Sequence, residues 1–150
     1  MPISATGNSG DQGFTLVELL VVLVIIGLMT AVVVIAIPDP RGRLEDEAER
    51  FAARALSARD LAIISARPVR LRADATGYAF DQRRAGTWVA IAEKPLRPQP
   101  WGPGVVAAPR LAIVFDPSGI AEPGGRMLLQ RDNSEISIGI SGDGAIRVGG

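Results

Sequence analysis

The sequence predicts an α+β fold, with two consecutive helices leading into a head built on an antiparallel sheet or sandwich of about seven short strands. Three observations predict it. Residues 14–37 form an apolar run of twenty-four positions broken by one charge, Glu18. Residues 44–66 then repeat apolar side chains at helical spacing. From residue 67 onward the period shortens to two, and β-branched or aromatic residues gather in short runs between Gly, Pro and Asp.

As a helix the first run rises about 36 Å, enough to cross a hydrocarbon core of about 30 Å. A cleaved secretory signal would have a basic start, a shorter apolar region and a small-residue cut site after it, and none of these is present. A plain single-pass anchor explains the length but leaves Glu18 without a reason, because a carboxylate inside such a run is costly unless it is paired or near the interface. Pro38-Asp39-Pro40-Arg41-Gly42 follows and predicts a hinge over 38–43, since each Pro lacks an amide donor and restricts the residue before it.

The second helix is expected over 44–66. Leu44, Ala48, Phe51, Ala55, Ala58 and Ala62 make its apolar stripe, and Glu45, Asp46, Glu47 and Glu49 stand in its early turns, where the helix dipole favours acids. The small side chains of that stripe allow a sheet to approach closely. Strands are expected at 69–73, 78–82, 87–92, 111–115, 127–130, 135–140 and 145–148, the first two joined through Asp74-Ala75-Thr76-Gly77. Pro95, Pro98, Pro100, Pro103 and Pro109 crowd the stretch between Glu93 and Pro109, which reads as a long exposed loop around Trp101.

Composition removes several function classes. Sixteen Lys or Arg balance sixteen Asp or Glu, so no overall field marks nucleic acid or anionic lipid as a partner. Every basic residue follows Pro38, yet residues 38–150 carry sixteen basic against fourteen acidic side chains, a net of only +2. There is no Cys and no His, which excludes disulfides, the usual zinc sites and the common catalytic triads and dyads. The oxygen-rich stretches Asp132-Asn133-Ser134-Glu135 and Ser141-Gly142-Asp143-Gly144 lack the alternating ligands of a calcium loop, and turn chemistry explains both. No catalytic residue, metal ligand or cofactor is expected.

The arrangement that accounts for Glu18 is Gly13-Phe14-Thr15-Leu16-Val17-Glu18, with a polar leader before it and the apolar run after it. It resembles the processing site shared by type IV pilins and type II secretion pseudopilins, in which a membrane aspartic peptidase cuts after the Gly and methylates the new amino terminus. The resemblance implies that residues 1–13 are a leader, that cleavage falls between Gly13 and Phe14, that Phe14 is N-methylated, and that Glu18 serves assembly. The chemistry is readable from the residues too. Gly13 leaves room for a peptidase to approach, and cleavage exposes an amine one helical turn from the Glu18 carboxylate. Each charge alone is expensive in lipid, and brought together they offset much of that cost. In the family the partner amine belongs to a neighbouring subunit. Leaders of the family hold Lys or Arg before the Gly, whereas this one holds only Asp11, and Arg41 and Arg43 flank the far end. Either the processing machinery overrides the positive-inside rule here, or Met1 is not the natural start.

The head is similar to one branch of that family, the GspH type of minor pseudopilin with its FimT-like relatives, through Leu56-Ser57-Ala58-Arg59-Asp60-Leu61-Ala62 leading to Arg67-Pro68-Val69, Gly77-Tyr78-Ala79-Phe80, Phe115-Asp116-Pro117-Ser118-Gly119, and Gly144-Ala145-Ile146-Arg147-Val148. The resemblance implies a pilin-like fold with a periplasmic head over 67–150, a single pass of the bacterial inner membrane and a non-enzymatic place at or near the tip of a secretion pseudopilus. It implies as partners the other minor pseudopilins, the major pseudopilin, the prepilin peptidase, the inner-membrane assembly platform and membrane lipid. Trp101, Lys94 and Arg97 on the Pro-rich loop are the candidate partner-binding residues. The competing expectation is a FimT-like minor pilin that binds DNA, since residues 67–97 carry seven basic against three acidic side chains, a local net of +4. Interspersed acids and a tail with only Arg147 rank nucleic acid second.

Overall fold

The computed structural model of the 150-residue chain describes residues 15–36 and 40–149, which fall into two compact units divided after Pro38. The first unit holds helix α1 (Leu16–Ala36). Its described apolar side chains are all exposed, from 44% at Val22 to 80% at Leu16. Among the described residues no helix is long and apolar enough to cross a membrane. The apolar run read from the sequence extends past those residues at both ends.

The second unit opens with helix α2 (Pro40–Ser65). It starts inside the stretch expected as a hinge, because a proline in the first helical turn has no amide to leave unsatisfied and its fixed φ suits the helix. Pro38 and Asp39, the rest of that hinge, lie outside the described residues. All six residues of the predicted stripe, Leu44 through Ala62, are fully buried. The helix ends in a Schellman motif: the Arg67 amide donates to the Ala62 carbonyl at 3.2 Å and the Ala66 amide to Ile63 at 3.3 Å.

Ten antiparallel strands follow: β1 (Val69–Ala73), β2 (Gly77–Arg84), β3 (Thr87–Ala90), β4 (Gln99–Pro100), β5 (Val106–Ala108), β6 (Leu111–Phe115), β7 (Ala121–Glu122), β8 (Gly125–Arg131), β9 (Ser134–Ile140) and β10 (Ile146–Gly149). They form two sheets. The first runs β3-β2-β1-β6-β7, with β4 also on β2, and the second runs β10-β9-β8-β5. Helix α2 lies against β1 and β6 of one sheet and β8, β9 and β10 of the other, so its alanine stripe closes a single core with Phe80, Phe115, Ile113, Met127, Leu129 and Ile138.

Seven of the strands coincide with those predicted. The additional three, β4, β5 and β7, are two or three residues long, too short to show a period, and β4 itself contains Pro100. The Pro-rich stretch is therefore not a long exposed loop. It contributes β4 to one sheet and β5 to the other, and it buries Leu96, Trp101, Val105 and Ala107.

Candidate functional site

Glu18 stands in the first turn of α1, and Thr15 caps that turn. The Thr15 hydroxyl accepts the Glu18 amide at 3.2 Å, and the Thr15 carbonyl accepts the Leu19 amide at 3.1 Å. Thr-Leu-Val-Glu is the spacing of a capping box, in which the acid three residues after the cap also suits the positive end of the helix. This role is legible in the sequence from Thr15 and Glu18 together, although the membrane cost of the charge draws attention elsewhere. Glu18 is exposed among exposed apolar neighbours, Val17, Leu19 and Leu20. Gly13 and Phe14, the expected cleavage site, lie outside the described residues.

The three candidate residues of the Pro-rich stretch part company. Lys94 and Arg97 are exposed on either side of buried Leu96, in a turn closed by the Leu96 amide on the Glu93 carbonyl at 3.0 Å. Trp101 is only 7% exposed and faces inward, so it is not a surface anchor. Its indole lies 4.8 Å from the Tyr78 ring and 5.5 Å from Phe51, and its Nε1 donates to the Asp74 carbonyl at 2.7 Å. A buried indole needs an acceptor for its N–H, and the β1–β2 turn supplies one. That turn is itself fixed by the Asp74 carboxylate, which accepts from the Thr76 amide and hydroxyl and the Gly77 amide; chiefly through the Thr76 hydroxyl, these bonds hold its pKa below the ordinary range.

Part of the basic strip of residues 67–97 is tied up within the sheet. Asp81 is 3% exposed and accepts from Arg72 Nε at 2.7 Å and Arg70 Nε at 3.0 Å. Burial alone would raise its pKa, and the two guanidinium groups outweigh that and lower it. Arg70 also lies 4.7 Å over the Trp88 ring, with Arg83 at 5.9 Å. Two of the cations needed for a DNA-binding strip thus share one carboxylate, which leaves that cluster a net +1, and a third leans on an aromatic face. Among the described residues no group of three or more His, Cys, Asp or Glu is placed to hold a metal ion.

Two family models match the chain: the one described as Type II transport protein GspH over residues 47–144, and the one described as Prokaryotic N-terminal methylation motif over residues 8–37. A curated relative, Type II secretion system protein H of Aeromonas hydrophila, is 36% identical over 77 residues, which is 50% of this chain and 42% of the relative. The match therefore spans less than half the relative's length. Among solved structures, the minor pseudopilin EpsH from the type 2 secretion system of Vibrio cholerae superposes with a TM-score of 0.62 at 15% identity, over 73% of this chain and 95% of that one. The type IV minor pilin FimU of Pseudomonas aeruginosa gives 0.57 at 20% identity, over 73% and 90%. At these identities the two structures establish the fold, which is pilin-like.

Proposed function

Because the chain belongs to the GspH family of type II transport proteins, we propose that it is a minor pseudopilin of a type II secretion system, matured by a prepilin peptidase and built into a periplasmic pseudopilus. The observation that carries this reading is the pairing of a methylation motif over 8–37 with a GspH head over 47–144 in one chain. In this account residues 1–13 are removed, Phe14 becomes the methylated amino terminus, residues 14–37 anchor the protein in the inner membrane, and the head stands in the periplasm among the other minor pseudopilins and the major pseudopilin. The protein acts as a filament part and not as an enzyme.

The backbone amide of Glu18 completes the Thr15 cap, and its carboxylate is left to pair with the ammonium of a neighbouring subunit. Gln satisfies a capping box as Glu does but carries no charge, so Glu18→Gln separates them. Loss of incorporation into the pseudopilus with normal processing and abundance is expected. Normal incorporation of that variant would assign Glu18 to capping alone. The class itself is tested by intact mass spectrometry of the protein from cells with and without the prepilin peptidase. A species lacking residues 1–13 and carrying one extra methyl, seen only with the peptidase, is expected, and an uncut chain in both would overturn the reading.

A further inference from the structure

The geometry points to a phosphate-binding cleft on the head, walled by the first turns of α2, the end of β8 and the stretch around Trp101. The cleft encloses about 610 Å³, within the range of small-ligand sites, and Arg43, Glu47, Arg50, Arg54, Trp101 and Arg131 line it. Four guanidinium groups face one carboxylate, a net of +3. Glu47 compensates only Arg50, which it meets at 3.0 Å. Arg131 keeps 17% of its side chain exposed, and its carboxylate partner is Asp132, at 4.0 Å with 75% of its own side chain in solvent. Arg54 is half-buried and donates to a neutral group, the Tyr78 hydroxyl, at 2.6 Å. Among the described residues no carboxylate pairs with it. Cations withdrawn from water without a close counter-ion are costly, and a bound anion offsets that cost.

The site is also preshaped. Its floor is the Tyr78–Trp101 pair, held against Phe51 by an edge contact of 5.0 Å from Tyr78. At its edge Gly104 has φ +77, a conformation that favours glycine, beside the Arg131 side chain.

Charge and geometry favour phosphate over carboxylate. A carboxylate brings one charge and two oxygens, enough for one guanidinium fork, and would leave most of the excess charge unmatched. A phosphate monoester brings close to two charges and three acceptor oxygens, which several converging guanidinium groups can share. A free phosphate or the terminal phosphate monoester of phosphatidic acid presents this chemistry. Arg43 stands six positions after Ile37, where the apolar run ends, which brings the headgroup into consideration. Only that source rests on the membrane anchoring proposed above.

The test uses the full chain, ¹⁵N-labelled, in an uncharged detergent, following the Arg Nε–H and Trp101 indole N–H resonances. It is titrated at constant ionic strength with sodium phosphate, and separately with phosphatidic acid doped into the micelles. Saturable shifts at Arg54, Arg131 and Trp101 are expected. Saturation with phosphate supports a free-phosphate ligand, and saturation with the lipid alone supports a headgroup. Arg43→Gln with Arg50→Gln should weaken binding on the order of tenfold or more. Arg131→Gln alone should act in the same direction, which keeps the test valid if the double variant misfolds. Arg126→Gln, at the opposite end of β8, should leave binding unchanged. No saturation in either titration, equal loss in Arg126→Gln, or sodium acetate binding as tightly as phosphate would overturn the proposal.

Discussion

Ala66 occupies a left-handed conformation, φ 50, at the position of the α2 Schellman motif that glycine usually fills. A Cβ there is unfavourable, and Ala66 is exposed, so Ala66→Gly removes strain without opening a cavity. Urea denaturation of the variant should show a gain of about 1 kcal/mol. Gly144 is the opposite case. It has φ +78, and a Cβ there would meet the Gly119 carbonyl and the Arg59 guanidinium, whose Nε donates to that same carbonyl at 2.9 Å. Gly144→Ala should lower stability by about 2 kcal/mol or more in the same measurement, because the fault lies in backbone and clash together. Asp81 gives a pH signature. Its folded pKa is depressed, so its contribution is complete above the ordinary carboxylate pKa and fades as pH falls through the lower folded value. The stability deficit of Asp81→Asn against the parent, followed from pH 7 downward, should therefore shrink as the solution becomes acidic. A deficit unchanged at low pH would mean that the Arg70–Asp81–Arg72 cluster contributes through packing and not charge.

Among the elements, α2 follows from its sequence most directly, since alternating steps of four and three between Leu44 and Ala62 leave one face for the core. The stretch from Glu93 to Pro109 follows least. Its prolines argue against a central strand correctly, but edge strands of two or three residues escape any period, and what pins them is Trp101. Trp101 joins three elements: Phe51 on α2, Tyr78 on β2 and the Asp74 carbonyl in the β1–β2 turn. Trp101→Ala should cost about 3–5 kcal/mol and loosen β4 and β5, seen as faster amide exchange confined to their neighbourhood. Trp101→Phe keeps most of the apolar surface and strands one carbonyl, so it should cost about 1 kcal/mol. The short hairpins are easier to read. Ala85-Gly86, with φ 47 and 83, is a two-residue turn of the primed type, and the change of period on either side of it marks both strands.

For the whole molecule, the seven longer strands, the buried helical stripe and the turns at Asp74 and Ser141 were legible because each rests on neighbours in the chain. The division of the strands into two sheets was not. It depends on β1 pairing with β6 in one sheet while β5 pairs with β8 in the other, pairings between residues far apart in sequence. The basic strip shows the same limit. Composition counts Arg70, Arg72 and Asp81 separately, and only the register that sets Arg70 opposite Asp81 reveals that the two cations share one carboxylate. The arginine cleft escapes composition for the converse reason, because Arg131 lies 77 positions from Arg54 and joins it only through the fold.

By itself the sequence determined the local terms: which residues make helix and strand, where the chain turns, and that a methylation motif precedes a long apolar run. Those depend on backbone preference and on apolar spacing over a few residues. The tertiary structure alone decided which charges are paired, which are left facing an open cleft, and that Trp101 is spent inside the head. Coulomb energy and burial depend on distance in space, and distance along the chain carries little of that information.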